Sequence, residues 1–429
     1  MGRRRAGDRL DEVTSALPVI GAHVAARSVL VWVYVALPYS WKTLAWGDLG
    51  LYREWAEEIL TTGAAPAGDT WMYPPGAVPV VLAPTALPLP YDLAFVLVLA
   101  VLDALVLALL LGRGRHRAGA WAWALLPPLL GPLTWARLDL VPVAATAAAL
   151  LWLDGRPRLG GAAAAFGTAV KAWPVLLGTV ALRERRWLAW AVGTGLAVAA
   201  ATTVALDGAW DFVARLTGRG IQVESVLATP WLLVQATGGD APGDYANGTF
   251  EVIAPGTAEL AALSPALVVA AVGAAWWASR GHHPAVRWWA MALALLATSP
   301  LLSTQFILWA IGATAVAASV PGAGAALARR LLPALAVVVA LSHAGFPVQW
   351  RGLVGDGALA AATVSARNVV LVALTVAVVA VLARSRPAST RFTPPAATPT
   401  TGVPTPATSA PSGPTPGPAR PMPARDPVP

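Results

Sequence analysis

Residues 45–91 read AWGDLGLYREWAEEILTTGAAPAGDTWMYPPGAVPVVLAPTALPLPY. They stand between the first two long apolar runs, and the side of a membrane they occupy sets the count of every crossing after them. Within LYREWAEEIL, Tyr52, Trp55 and Ile59 recur at spacings of three and four, a helical period. That aromatic face suits a helix lying along a membrane interface, with Arg53, Glu54, Glu57 and Glu58 available to water. Asp48 comes just before this helix, in an N-cap position. Tyr73-Pro74-Pro75-Gly76 fixes a rigid turn. Residues 77–89 are apolar but short for a span and carry Pro79, Pro84 and Pro88. They read as a re-entrant or interfacial helix. The next run, Tyr91 to Leu111, ends in GRGRHR, a cytoplasmic signal that a crossing at 77–89 would place outside.

Of 429 residues, 57% are hydrophobic and 12% charged, against about 25% charged in a soluble chain. Apolar runs alternate with short Arg-rich joints, so the expected class is an all-α polytopic membrane protein. The net charge of +8 resides in those joints and does not signal nucleic-acid binding. Cysteine is absent, which excludes disulfides and thiolate chemistry. The basic start MGRRRAGDRLDEV leads into an uncleaved first span. Counting runs gives about ten full spans plus one half-helix pair over 159–182, broken near Lys171 and Pro174. The crossings include Trp121 to Trp135, Leu140 to Leu153, Trp288 to Leu296 and Phe306 to Val320. Both termini then fall in the cytoplasm, and the first large loop, with its interfacial helices, falls outside. The chain divides into a cytoplasmic segment 1–16, a membrane domain 17–385, and a disordered Pro/Ala/Thr-rich cytoplasmic tail 386–429.

No Walker loop, Rossmann fingerprint, HExxH or zinc ligand set is present, and no metal or cofactor is expected. The cytoplasmic joints are too short for a nucleotide-binding domain. Chemistry on the outer face would draw on an activated donor within the membrane, such as a polyprenyl phosphate sugar. Asp48, beside aromatics able to stack on sugars, is either a helix cap or a general base. Arg137 and Asp139 share an outer turn, where an arginine fork suits phosphate; they read equally as joint charges. Lys171 in an apolar stretch either lines a cavity or snorkels. His23 and Arg27 share a face of the first span and either snorkel or make an internal contact. Glu224 and Ser225 are candidates for touching an acceptor, and Ser299, Ser303 and Gln305 for binding phosphate or sugar. Trp55 and Trp71 are plausible sugar platforms among tryptophans that otherwise anchor and pack.

The pattern Asp48-Leu49-x-x-Tyr52, then Trp55, then Tyr73-Pro74-Pro75, resembles the first outer loop of glycosyltransferase family 87. Arg137-Leu138-Asp139, Lys171 with Pro174, Glu224-Ser225 and Ser299-Pro300 follow in the order that family shows, so the resemblance spans about residues 17–385. It implies a GT-C glycosyltransferase fold and a polyprenyl-phosphate-mannose-dependent α-mannosyltransferase of the kind common in actinobacteria. The reaction would invert a β-linked lipid phosphate mannose, with the family's catalytic aspartate falling on Asp48. Tyr52, Trp55, Tyr73, Arg137, Asp139, Lys171, Glu224, Ser225, Ser299 and Gln305 would bind donor or acceptor. Many relatives carry a histidine near the late Ser-Pro turn; here the stretch reads SPLLSTQFILW. The implied partners are a polyprenyl phosphate sugar, a membrane-associated glycan or glycolipid acceptor, and the plasma-membrane bilayer, with no nucleic acid. A donor bearing arabinofuranose or glucose, a lipid flippase and a non-catalytic envelope scaffold are the alternatives.

Overall fold

The computed structural model describes residues 6–36, 42–68, 71–216, 218–240 and 243–385. The expectations for residues 1–5 and for the tail 386–429 lie outside the described residues. The helices that position the site are α1 (Ala6–Ala36), α2 (Lys42–Thr62), α3 (Tyr91–Arg113), α4 (Leu140–Leu151), α5 (Pro157–Val170), α6 (Arg185–Ala205), α7 (Thr257–Ala278), α8 (Pro284–Thr298), α9 (Ile307–Ser319) and α10 (Ala358–Arg384). Among the described residues the chain is an all-α membrane protein apart from one small antiparallel sheet. Its strands are β1 (Ile221–Gln222), β2 (Gly243–Ala246) and β3 (Thr249–Val252), in the order β1-β3-β2.

The expected ten spans are corrected by this architecture. Among the described residues five helices are long and apolar enough to cross a membrane: Ser15–Ala36 within α1, then α3, α6, α7 and α10. A sixth candidate is the pair Ala323–Arg330 and Leu332–Val348, bent by 45°. The runs read as spans at 140–153 and 306–320 form the 12-residue α4 and the 13-residue α9. At 1.5 Å per residue these reach only about 18–20 Å, short of a bilayer core of about 30 Å. All of α9, and all of α4 except Leu151, is buried inside the protein. Apolarity there serves the protein core, and hydropathy cannot separate that from exposure to lipid. The run at 121–135 is broken as its prolines dictate, into a helix at Ala118–Leu125 and a 3-10 stretch at Pro127–Thr134.

Residues 159–182 split at one point. Helix α5 ends at Val170, Lys171 is extended, and a 3-10 stretch follows at Trp173–Thr179. Gly160 and Gly161 let α6 approach α5 closely, since a Cβ at either would meet Trp187. Helix α6 is the most exposed of the long helices.

The polar pair in the first span turns inward. Arg27 donates to Asp103 of α3 through Nε (2.9 Å) and Nη2 (3.0 Å), and also to the carbonyls of Trp123 and Ala124. Trp135 Nε1 donates to the same carboxylate at 3.2 Å. His23 lies 3.7 Å from it. Arg27 and Asp103 are both buried, so the internal contact is the reading the structure bears out. Breaking a buried ion pair costs about 3–5 kcal/mol, because one charge stays behind unpaired. Asp103→Ala is therefore expected to lower the unfolding midpoint of the detergent-purified protein sharply. Arg27→Met with Asp103→Leu is expected to recover most of the loss, and equal midpoints for the two variants would contradict the pairing argument.

Candidate functional site

One cavity of about 500 Å³ gathers charge and aromatic surface from five parts of the chain. Helix α2 supplies Asp48, Tyr52 and Trp55; the turn after it supplies Tyr73; the break after α5 supplies Lys171 and Trp173. The 299–306 turn and α9 supply Ser299, Gln305, Phe306 and Trp309. The fifth part is the loop and hairpin around the sheet, with Arg219, Gln222, Tyr245 and Thr249.

Asp48 does not cap a helix. Helix α2 begins at Lys42, so Asp48 stands inside it, one and two turns before Tyr52 and Trp55 on the same side. Its carboxylate pairs with Arg137 (Oδ2 to Nε, 2.9 Å), and its side chain is 39% exposed where that of Arg137 is 3%. Arg137 is fixed from behind, Nη1 donating to the carbonyls of Ala45 (3.1 Å) and Ala136 (2.9 Å). One side of the Asp48 carboxylate is thus anchored and the rest faces the cavity.

Two residues along the same turn, Asp139 is fully buried. Its Oδ1 accepts from Lys171 Nζ (2.7 Å) and from Trp309 Nε1 (2.6 Å). Lys171 lies over the rings of Phe306 (4.2 Å), Trp309 (5.3 Å) and Tyr73 (5.4 Å). Arg137 and Asp139 thereby bring two ion pairs to one wall, and that wall is electrically neutral.

The aromatic residues pack on one another instead of lying along an interface. Trp55 meets Trp71 at 5.0 Å and Tyr52 at 5.4 Å, and Tyr52 stacks on Phe95 at 5.2 Å. Tyr52, Trp55 and Trp71 are all buried, and of the three Tyr52 and Trp55 line the cavity. Burial pushes the phenols of Tyr52 and Tyr73 well above their ordinary range, so both remain neutral hydroxyls.

Glu224 and Ser225 lie outside the cavity lining and are buried. Glu224 accepts from Thr304 (2.5 Å), and Ser225 Oγ donates to the carbonyl of Ser299 (2.8 Å). From α10, Arg367 donates to the Glu224 carbonyl (2.6 Å) and Asn368 to that of Ser225 (3.0 Å). Burial pushes the Glu224 carboxyl up. These two residues hold the turn that presents Ser299 and Gln305. Gln222 braces the same turn, its Nε2 donating to Ser303 Oγ at 2.5 Å and its backbone N to the Pro300 carbonyl at 2.9 Å.

Arg219, Trp173, Phe306, Trp309 and the hairpin were not read from the sequence. Arg219 had a signal: an arginine in a loop assigned to the outside runs against the positive-inside trend. The hairpin had one too, since Asn247-Gly248 takes positive φ at both positions (49° and 75°), the turn that joins β2 to β3. Trp309, inside an apolar run, had none.

The fold and this cavity define a multi-pass helical membrane protein with a charged, aromatic-lined site among its shorter elements. Residues 71–304, more than half of the sequence, match glycosyltransferase family 87, and the chain belongs to that family. The match takes in Tyr73, Arg137, Asp139, Lys171, Glu224, Ser225 and Ser299 and begins after Asp48, Tyr52 and Trp55. No curated protein and no solved structure matches the chain.

Proposed function

We propose that this glycosyltransferase moves a mannosyl residue from polyprenyl phosphate mannose to a lipid-linked or cell-envelope glycan acceptor, with inversion. The observation that carries the reading is Asp48, anchored by buried Arg137 and otherwise open to the cavity. The Asp48 carboxylate takes the proton of an acceptor hydroxyl as that oxygen attacks the anomeric carbon. The bond from that carbon to the phosphate oxygen breaks, and the electron pair leaves on the polyprenyl phosphate. The leaving group departs as a lipid phosphate monoester, a stable anion.

An apolar groove of about 510 Å³ between α5 and α6 supports a lipid donor. It shares Pro74, Ala172 and Phe212 with the cavity, so a prenyl chain lying there would deliver its head group into the cavity that Asp48 lines. The clusters Arg113–Arg117, Arg183–Arg186 and Arg329–Arg330 favour the cytoplasm at the opposite end of the helices. The site then opens on the extracytoplasmic face of the plasma membrane, with both termini inside.

The test is transfer of radiolabelled sugar by purified protein to a membrane lipid extract. Polyprenyl phosphate mannose runs beside the glucose and arabinofuranose donors. Label moving from the mannose donor alone is the expected result. Label moving from another donor would reassign the sugar, and donor binding without transfer from any of them would overturn the enzyme reading.

A further inference from the structure

Three cations stand at or just behind the cavity wall, and two are committed. Arg137 is paired with Asp48 and Lys171 with Asp139. Arg219 lines the same cavity, yet among the described residues its guanidinium has neither an ion pair nor a hydrogen bond, and its Nε is shielded from solvent. Glu251 is the acid that acts on it electrostatically, but no ion pair joins the two: Glu251 Oε2 accepts from Gly220 N (3.0 Å) and Asn247 Nδ2 (3.3 Å), and its buried Oε1 has no hydrogen-bond partner. A half-buried guanidinium whose N–H groups meet no acceptor is costly unless a ligand supplies one.

The position of Arg219 narrows that ligand. It follows Phe212 and Leu216, which line the cavity, and Phe212 also lines the apolar groove. Between them Arg215 is tied down, its Nη1 donating to the carbonyls of Pro66 (2.9 Å) and Trp71 (3.2 Å). The segment is therefore fixed where groove and cavity meet, with one uncommitted guanidinium on it. An arginine fork matches two oxygens of a phosphate.

We propose that Arg219 receives the phosphate of the lipid-linked sugar, while Arg137 and Lys171 serve the two carboxylates. The assignment rests on the polyprenyl phosphate donor of the preceding section. As the glycosidic bond breaks, the bond pair moves onto the phosphate oxygen and a diester anion becomes a more highly charged monoester. A guanidinium beside that oxygen interacts more strongly with the leaving group than with the donor, which lowers the barrier.

The experiment measures binding of a short-chain polyprenyl monophosphate, the matching prenyl alcohol and inorganic phosphate to wild type, Arg219→Gln, Arg219→Lys and Asp48→Asn. Sugar transfer is assayed in parallel. Wild type is expected to prefer the lipid phosphate to the alcohol and to bind inorganic phosphate weakly. Arg219→Gln is expected to lose at least tenfold in lipid phosphate affinity with alcohol binding unchanged, Arg219→Lys to fall between, and Asp48→Asn to bind as wild type does. Because the Arg219 side chain holds up nothing else, its replacement should leave the unfolding midpoint in place. Unaltered lipid phosphate affinity in Arg219→Gln, with transfer intact in wild type, would overturn the assignment alone. The expected binding pattern without transfer by wild type would uphold Arg219 and sink the transferase reading. Failure of wild type to distinguish phosphate from alcohol would overturn both.

Discussion

Replacing Asp48 with Asn is expected to cut sugar transfer by about 10³-fold, within the range that general-base groups contribute. The amide removes the proton acceptor while keeping an oxygen for Arg137. Arg137 also keeps the Ala45 and Ala136 carbonyls, so it is not stranded. Asp48 is partly exposed, and its ion pair is correspondingly weak as a contributor to stability. The loss should therefore appear in kcat, with the unfolding midpoint and donor binding close to those of wild type. Initial rates at saturating donor measure it. A rate within threefold of wild type would remove Asp48 from the chemistry and leave the cavity without its exposed, anchored carboxylate.

Much of this cavity was legible because charge is scarce in the chain. Asp48, Arg137, Asp139 and Lys171 stood out against an apolar background, and the fold brings all four to one wall. Their pairing was not legible, since it depends on a turn whose two charges point to different partners. The span count failed for a physical reason. Helices α4 and α9 are as apolar as lipid-facing helices, but they are short and enclosed by protein. Glu224 and Ser225 were singled out by polarity, by their outer loop and by the family order, and their polarity is spent on backbone carbonyls and Thr304 behind the site. Of the two tryptophans read as sugar platforms, Trp71 is fully buried outside the cavity lining, and Trp55 lines the cavity while packing edge-on against Trp71 at 5.0 Å. Arg219 was passed over because nothing in the sequence separates it from Arg215 four residues earlier, which is spent on the carbonyls of Pro66 and Trp71.

The second large effect concerns stability. Asp139→Ala is expected to destabilise the protein by about 3–5 kcal/mol, the cost of stranding one member of a buried pair. The carboxylate is fully buried and holds two donors, Lys171 Nζ and Trp309 Nε1. Without it the ammonium keeps only the faces of Phe306, Trp309 and Tyr73, and such contacts recover about 0.5–2 kcal/mol. The indole N–H loses its acceptor as well. Lys171→Met in the Asp139→Ala background removes the stranded charge, and methionine fits among aromatic rings, so the double variant is expected to be the more stable of the two. Equilibrium unfolding in detergent micelles, run as a double-mutant cycle, isolates the coupling. A coupling below about 0.5 kcal/mol would mean that Lys171 finds water or another anion when Asp139 is gone. The ammonium would then be free to meet a phosphate, and the division of labour that assigns the phosphate to Arg219 would lose its electrostatic basis.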